Sequence, residues 1–141
     1  MPGKRPRLTV SPALATSSNG ELYMTFGTPG GDMQQQAMLQ VFLSVREFGM
    51  SVQAAIEKPR FGNFSYPNSF APHQYIPGRL CVEKPLDDAF GERLRAMGHN
   101  LEVWQEWAPT AGAVCAIQRD GRTGLLHAGA DPRREGTAGA W

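Results

Sequence analysis

The sequence has few cysteines, no excess of charge of one sign and no long hydrophobic segment, and each absence excludes a class of protein. Two cysteines, Cys81 and Cys115, are too few for a disulfide-dense scaffold or a four-cysteine zinc module. Both lie in apolar, strand-like stretches, so we expect both to be small buried core residues. The three histidines are scattered without metal-ligand spacing, and we expect neither a metal site nor a cofactor.

Charge and hydropathy exclude two further kinds of partner. Fourteen basic and 13 acidic residues give a net charge of +1, which provides no broad electrostatic reason to bind nucleic acid or an anionic membrane. The most apolar stretch, 37–45, is far shorter than the roughly 20 residues of a membrane span. No apolar run follows the basic start, so a signal peptide is not indicated. We expect residues 1–7 to form a solvated arm and 1–141 to form one domain segment.

The pattern of apolar residues and turn residues predicts a mixed order of elements, β-β-α-α-β-α-β-β-β, rather than strict βαβ alternation. Asn19-Gly20 is typical of a hairpin turn. We expect Asp32 to cap a helix that is buried on more than one side and ends at Gly49. The predicted elements are a hairpin of 11–15 and 21–26, helices over 33–48, 51–58 and 86–97, and strands over 79–83, 100–106, 112–118 and 125–128.

Residues 60–77 are rich in Phe, Tyr, Asn, Pro and Ser and predict a long loop held by its aromatic side chains. Ordered loops of this length are often functional. A surface flap packed by its own aromatics explains the composition equally well, so both interpretations stay open.

The segment from Gly27 to Asp32 (Gly-Thr-Pro-Gly-Gly-Asp) joins a predicted strand to a predicted helix. Glycines let backbone N–H groups face open space, and a helix N-terminus adds partial positive charge. Such a turn suits a phosphate, a carboxylate or a developing oxyanion. It is not a P-loop, because the Gly-Lys-Ser/Thr ending is missing and Asp32 would repel phosphate. Plain turn chemistry remains the alternative.

An ordered series of motifs covers nearly the whole chain and resembles the C-terminal part of the small subunit of the γ-glutamyltransferases (γ-glutamyltranspeptidases). It comprises Arg5-Pro6, Ser11-Pro12, Gly27 to Asp32, Gln36 to Leu43, Phe48-Gly49-Met50, Ala54 to Phe61, Arg79 to Glu83, Leu94 to His99 and Asp131 to Ala138. No single motif is specific, but their order and spacing match the family.

The resemblance implies an α+β fold that forms part of the αββα sandwich of the N-terminal-nucleophile hydrolases, in which helices cover mixed, mainly antiparallel sheets. It also implies a proenzyme that cleaves itself into two subunits. A Thr exposed at the start of the small subunit attacks a γ-glutamyl amide, and its own α-amino group acts as base. The acyl group then passes to water or to an amine. The family's paired glycines match Gly30 and Gly31, which we therefore expect to form the oxyanion hole.

Three departures indicate the acylase-like branch of the family. The Ser-Ser pair that binds the γ-glutamyl part is replaced by Leu8 and Thr9, of which only Thr9 can donate a hydrogen bond. An aromatic-His stretch is replaced by Gly62-Asn63 and a longer loop. Asp32 stands where Ser is common. We expect Thr9 and Asp32 to contact the substrate, a γ-glutamyl or related acyl amide.

The nucleophilic Thr and the large subunit of the family have no counterpart in this chain. We therefore expect the chain to be inactive alone and to require the missing large subunit and the N-terminal part of the small subunit, or a second copy of itself. The alternative is a non-catalytic homologue that binds a small carboxylate, a peptide or a partner subunit.

Overall fold

A computed structural model describes residues 2–5 and 9–139, so the predicted role of Leu8 and part of the predicted arm lie outside the described residues. Within these described residues, seven strands form two sheets, and three α-helices and two short 3-10 helices accompany them. The strands are β1 (Ala13–Thr16), β2 (Leu22–Gly27), β3 (Phe61–Asn63), β4 (Arg79–Glu83), β5 (Asn100–Trp104), β6 (Cys115–Arg119) and β7 (Leu126–Ala130). The helices are α1 (Gln34–Arg46), α2 (Val52–Glu57) and α3 (Lys84–Ala96), with 3-10 helices at Gly31–Met33 and Pro109–Ala111.

The larger sheet has the order β1-β2-β6-β7, and all its neighbours are antiparallel. The predicted hairpin is confirmed, with Gly20 at φ +84° in its turn. One register row runs from Leu14 through Thr25 and Ile117 to Ala128. Leu14 is 67% exposed and Ile117 40%. This face of the sheet is therefore open, whereas the other face carries the helices.

The smaller sheet has the order β3-β4-β5. Strands β4 and β5 are parallel and are connected by α3, as a parallel pair requires. The strand predicted over 79–83 is confirmed, but β3 lies in the segment that the sequence predicted as loop. Only three residues long, β3 pairs antiparallel with β4 and has no hydrophobic period of its own.

The core lies between the larger sheet and helices α1 and α2. The buried positions of α1 recur every three or four residues, which places them on one stripe. Leu39, on the opposite side, is 56% exposed. The expectation that this helix is buried on more than one side is therefore wrong within this chain. The buried core residues are Met24, Met33, Ala37, Val41, Val45, Val52, Ala55, Ile56, Val114 and Ala116.

Two helix starts that look alike in sequence differ in structure. Ser51 caps α2 as predicted, because its side chain accepts a hydrogen bond from the Ala54 N–H at 3.3 Å. Asp32 caps no helix, because a 3-10 turn precedes α1 and the N-cap is Met33. Its carboxylate instead accepts a 2.9 Å hydrogen bond from the Ser69 N–H in the long loop.

The two cysteines have different environments. Cys81 is fully buried in β4, as predicted, whereas Cys115 is exposed. Cys115, the first residue of β6, pairs with Gly27 and Ala130 and belongs to the open face of the larger sheet. The burial predicted for Cys115 is therefore wrong. Among residues 2–5 and 9–139, no helix is both long and apolar enough to cross a membrane.

Candidate functional site

The turn between β2 and α1 has a backbone that only glycine adopts readily. Gly30 has φ +140° and Gly31 has φ +56°, both in the region that residues with a Cβ avoid. The 3-10 helix starts at Gly31, and the Met33 N–H donates to the Gly30 carbonyl at 3.0 Å. The turn therefore leads directly into α1.

Thr28 fixes the turn from behind. Its hydroxyl donates to the Pro29 carbonyl at 2.8 Å and accepts from the Ala113 N–H at 2.7 Å. Gln34 in α1 donates to the Thr28 carbonyl at 2.9 Å. A Cβ on Gly112 would lie 3.0 Å from the Thr28 hydroxyl, so the segment before β6 packs closely against the turn.

The N–H groups of Gly30 and Gly31 are the chemically distinctive feature of the turn. Among the residues that the structure describes, no carbonyl or side chain accepts a hydrogen bond from either. Both lie at the positive end of the helical segment. Two adjacent, unpaired N–H groups at such a position can hydrogen-bond one anionic oxygen.

Two depressions meet at Gly31. A polar one of about 260 Å³ brings Gly31 together with Thr9 and Asp32, two residues predicted to contact the substrate. The other, of about 440 Å³, is lined by Gly30, Gly31 and Asp32 together with residues from the long loop, β4, β5 and the tail. All four predicted site residues therefore lie around one turn.

The long loop packs against this turn. A Cβ on Gly31 would lie 2.9 Å from Cε2 of Phe70. Tyr66 donates to the Asp32 carbonyl at 3.3 Å, and Gln36 in α1 hydrogen-bonds the Asn63 backbone in both directions, at 2.7 and 3.0 Å. Burial, together with the Asp32 charge, raises the pKa of Tyr66. The loop thus forms one wall of the site rather than a detached flap.

Four buried charged side chains behind the site were not predicted. Arg60 lies 2.6 Å from Asp131, and Arg133 lies 2.5 Å from Glu83 and 3.2 Å from Asp131. All four are at most 4% exposed. In the sequence, Glu83 directly follows the apolar residues Leu80, Cys81 and Val82, and a charge so placed is a signal that could have indicated the cluster.

The cluster also holds the loop that packs on the turn. Glu83 accepts from the Ala108 N–H at 3.0 Å, Arg60 donates to the Ala111 carbonyl at 3.2 Å and Asp131 accepts from the Val114 N–H at 2.9 Å. Burial lowers the pKa of Arg60 although the Asp131 carboxylate opposes that shift. Burial alone would also lower the pKa of Arg133, but its hydrogen bonds and charge contacts with Glu83, and then Asp131, raise it.

Within the described part of the chain, no three His, Cys, Asp or Glu side chains are grouped as metal ligands would be. The sequence matches the Gamma-glutamyltranspeptidase family over residues 1–141. The chain belongs to this family of enzymes. Its α+β architecture accordingly represents part of the αββα sandwich of the N-terminal-nucleophile hydrolases, as the motif series predicted.

Family members of known name resemble the chain over almost its whole length. It is 31% identical to the glutathione hydrolase-like YwrD proenzyme of Bacillus subtilis, over 97% of the chain and 25% of that protein. It is also 31% identical to the oxamate amidohydrolase proenzyme of Klebsiella pneumoniae, over 99% of the chain and 25% of that protein. The solved structure of LmbA2991HD superposes with a TM-score of 0.82 at 43% identity, covering 94% of the chain and 23% of the other.

The chain therefore spans about a quarter of the length of these relatives. Two of the relatives are proenzymes by name.

Proposed function

We propose that this chain supplies the oxyanion-binding turn of a γ-glutamyltransferase-like enzyme that hydrolyses an amide or transfers its acyl group. The observation that carries the proposal is the pair of N–H groups at Gly30 and Gly31, which have no acceptor among the described residues and border two depressions. They would donate to the carbonyl oxygen as it becomes an oxyanion, which is where hydrogen bonding accelerates acyl transfer most.

The nucleophile in this proposal is an N-terminal Thr that lies outside the chain, activated by its own α-amino group. The 141 residues alone would then be inactive, and the active species would include the large subunit and the N-terminal part of the small subunit. In such an assembly, residues 1–141 would form one domain segment and residues 1–7 a solvated arm. The open face of the larger sheet, with Leu14 and Ile117 exposed, supports the need for a further layer.

On the acyl side of the reacting carbonyl, we assign substrate contacts to Thr9 and Asp32, which share the polar depression with Gly31. Thr9 would donate through its hydroxyl. Asp32 is partly committed to the Ser69 N–H, which leaves its second oxygen for a donor on the substrate. With one hydroxyl in place of the family's two, the acyl group would differ from a γ-glutamyl group.

The test compares glycines that all have a positive φ but lie in different parts of the fold. In the assembled, active protein, Gly30→Ala and Gly31→Ala would move the two N–H groups, and we expect kcat for amide hydrolysis to fall roughly 10²–10³-fold. Gly49→Ala is the matched control, since Gly49 has φ +65° and open space around it. It should lower stability but leave kcat unchanged.

A loss below tenfold in both site variants would remove the oxyanion assignment. Amide hydrolysis by the 141-residue chain alone would contradict a nucleophile outside it. A folded assembly that hydrolyses no amide but binds acetate at the glycine turn would instead support the alternative, a non-catalytic carboxylate-binding homologue.

A further inference from the structure

The second depression beside the glycine turn has an aromatic lining. Phe64, Phe70 and Trp104 contribute to its walls, and Gly30, Gly31 and Asp32 form its edge. Its volume of about 440 Å³ lies within the range of small-molecule sites, about 300–1,000 Å³. It differs in chemistry from the polar depression that contains Thr9, although the two share Gly31.

The aromatic wall is built by packing rather than by chance exposure. The rings of Phe64 and Trp104 meet edge to face at 6.0 Å. A Cβ on Gly62 would lie 2.7 Å from Cε2 of Phe64 and 2.8 Å from Sδ of Met33. Because residue 62 is glycine, the Phe64 ring and the Met33 sulfur can both occupy that space. The replacement of the family's aromatic-His stretch by Gly62-Asn63 therefore shapes this cavity.

The charged residues of the cavity already have partners. The Arg79 side chain donates to the Glu102 carboxylate at 2.8 and 2.9 Å, and its guanidinium lies 5.5 Å from the Phe64 ring centre. Arg134 donates to the Pro109 carbonyl at 3.0 and 3.3 Å. Asp32 accepts from the Ser69 N–H. The Arg79 and Glu102 charges neutralise each other, and backbone groups hold the Arg134 and Asp32 side chains. The rings supply the apolar contact surface of the cavity, which favours a neutral, flat group.

We infer that this cavity is a subsite for an aromatic leaving group, the amine side of the scissile amide, bound against Phe64, Phe70 and Trp104. The inference rests on the proposed function, which puts the reacting carbonyl at Gly30 and Gly31 and the acyl group on the Thr9 side. The amine then extends to the other side of Gly31, where Phe70 is the nearest ring. Aromatic rings prefer edge-to-face or offset contacts with such a wall.

The test uses two neutral probes that differ only in the group on nitrogen, N-benzylacetamide and N-butylacetamide. Their affinities for the assembled protein are measured by NMR saturation transfer and titration. We expect the benzyl probe to bind roughly three- to ten-fold more tightly, the gain typical of an aromatic pair beyond its buried area. Phe70→Leu should remove most of this preference. Phe90→Leu, an exposed ring on α3, is the matched control and should preserve it.

A second variant keeps the inference testable if Phe70→Leu fails to fold. Phe64→Leu removes a second ring of the same wall, and both its urea midpoint and its affinity for the two probes are measured. Loss of the benzyl preference in Phe70→Leu or Phe64→Leu with a retained urea transition supports the subsite. Equal affinities of the two probes for the unmodified protein overturn it, as does an equal loss in Phe90→Leu.

A kinetic arm separates this inference from the proposed function. The ratio of kcat/KM for N-benzylacetamide to that for N-butylacetamide is compared between unmodified protein and Phe70→Leu. A fall in this ratio of fivefold or more, carried by KM, supports the subsite. If hydrolysis depends on Gly30 and Gly31 but the ratio is unchanged, the subsite is overturned and the proposed function stands. If the protein prefers the benzyl probe but hydrolyses no amide, the subsite stands and the proposed function is contradicted.

Discussion

The guanidinium of Arg60, just before β3, lies 2.6 Å from the carboxylate of Asp131, just after β7, and both side chains are almost completely buried. This pair joins the two sheets, because β3 belongs to the smaller sheet and β7 to the larger one. Arg133 and Glu83 complete the cluster, and three of the four side chains also hold backbone groups between 108 and 114. The loop behind the glycine turn is thereby fixed by charge pairs rather than by apolar packing alone.

Breaking this pair on one side should destabilise the fold strongly. We expect Arg60→Met or Asp131→Leu to lower the free energy of unfolding by about 3–5 kcal/mol, because each leaves the buried four-charge cluster with one uncompensated charge. The double variant should lose less than the sum of the two single losses. Urea unfolding of all four proteins measures the coupling.

The exposed pair of Arg119 and Glu21, 3.1 Å apart, offers a matched comparison. Arg119→Met and Glu21→Leu should each change the free energy of unfolding by about 1 kcal/mol or less, since exposed ion pairs contribute little. Comparable losses at the buried and exposed pairs would contradict the role assigned to the cluster.

The Thr28 hydroxyl should affect both stability and turnover. Thr28→Val keeps the shape but leaves the Ala113 N–H without its 2.7 Å acceptor, which we expect to cost about 1–3 kcal/mol. The same change removes a hydrogen bond that holds the backbone beside Gly30. We therefore expect kcat of the assembled enzyme to fall as well as the stability. Thr28→Ser keeps the hydroxyl and serves as control. Equal stability and turnover in the Val and Ser variants would show that this hydrogen bond does not position the turn.

The two cysteines should differ in reactivity toward a thiol reagent. In the folded chain, Cys115 should react with iodoacetamide at a rate close to that of an exposed thiol, whereas Cys81 should react only after unfolding. Mass spectrometry of the modified peptides distinguishes them. Modification of Cys81 at the rate of Cys115 under native conditions would contradict its burial.

Cys81 should also produce a dependence of stability on alkaline pH. Burial, and next the Glu102 charge, raises the pKa of Cys81 from 9.0 to about 11. The folded state therefore favours the neutral thiol, and this contribution is complete below about pH 9 and is lost as the pH rises toward 11.

The measurement is urea unfolding between pH 8 and pH 11. Cys81→Ala should show a shallower fall in the free energy of unfolding over that range than the unmodified protein. Cys115→Ala, which removes the exposed thiol, should leave the fall unchanged. A slope that is identical in all three proteins would exclude Cys81 as its source.

Gly129 in β7 should tolerate no side chain. A Cβ there would lie 2.8 Å from Cδ1 of Ile56 and 2.9 Å from Cγ1 of Val52, both in the core. We expect Gly129→Ala to cost about 1–3 kcal/mol through overpacking, and Ile56→Val to recover part of the loss in the double variant. Gly27→Ala, also in a strand but with open space, should change stability much less. Calorimetric unfolding measures the stability of these proteins. Equal losses of stability in Gly129→Ala and Gly27→Ala would refute the close contact.

Local patterns predicted much of the fold, because they depend on neighbours in the sequence. Asn19-Gly20 predicted the hairpin, Ser51 predicted the start of α2 and the apolar run before Glu83 predicted β4, and all three were confirmed. The glycine turn was also predicted from the sequence, because paired glycines before a helix are a local feature. The hydrogen-bond partner of Asp32 was not predicted, since Ser69 lies in a loop that is distant in sequence rather than in the next turn of the helix.

The sequence by itself determined the family, the order of nearly all elements and the position of the glycine turn, because motif order and short-range periodicity are properties of the chain. Only the tertiary structure decided which residues meet across it. It buried four charges together, left Cys115 on an open sheet face and brought Phe64, Phe70 and Trp104 beside Gly31. The physical reason is that burial and pairing depend on how the two sheets and the long loop pack, which no single segment encodes.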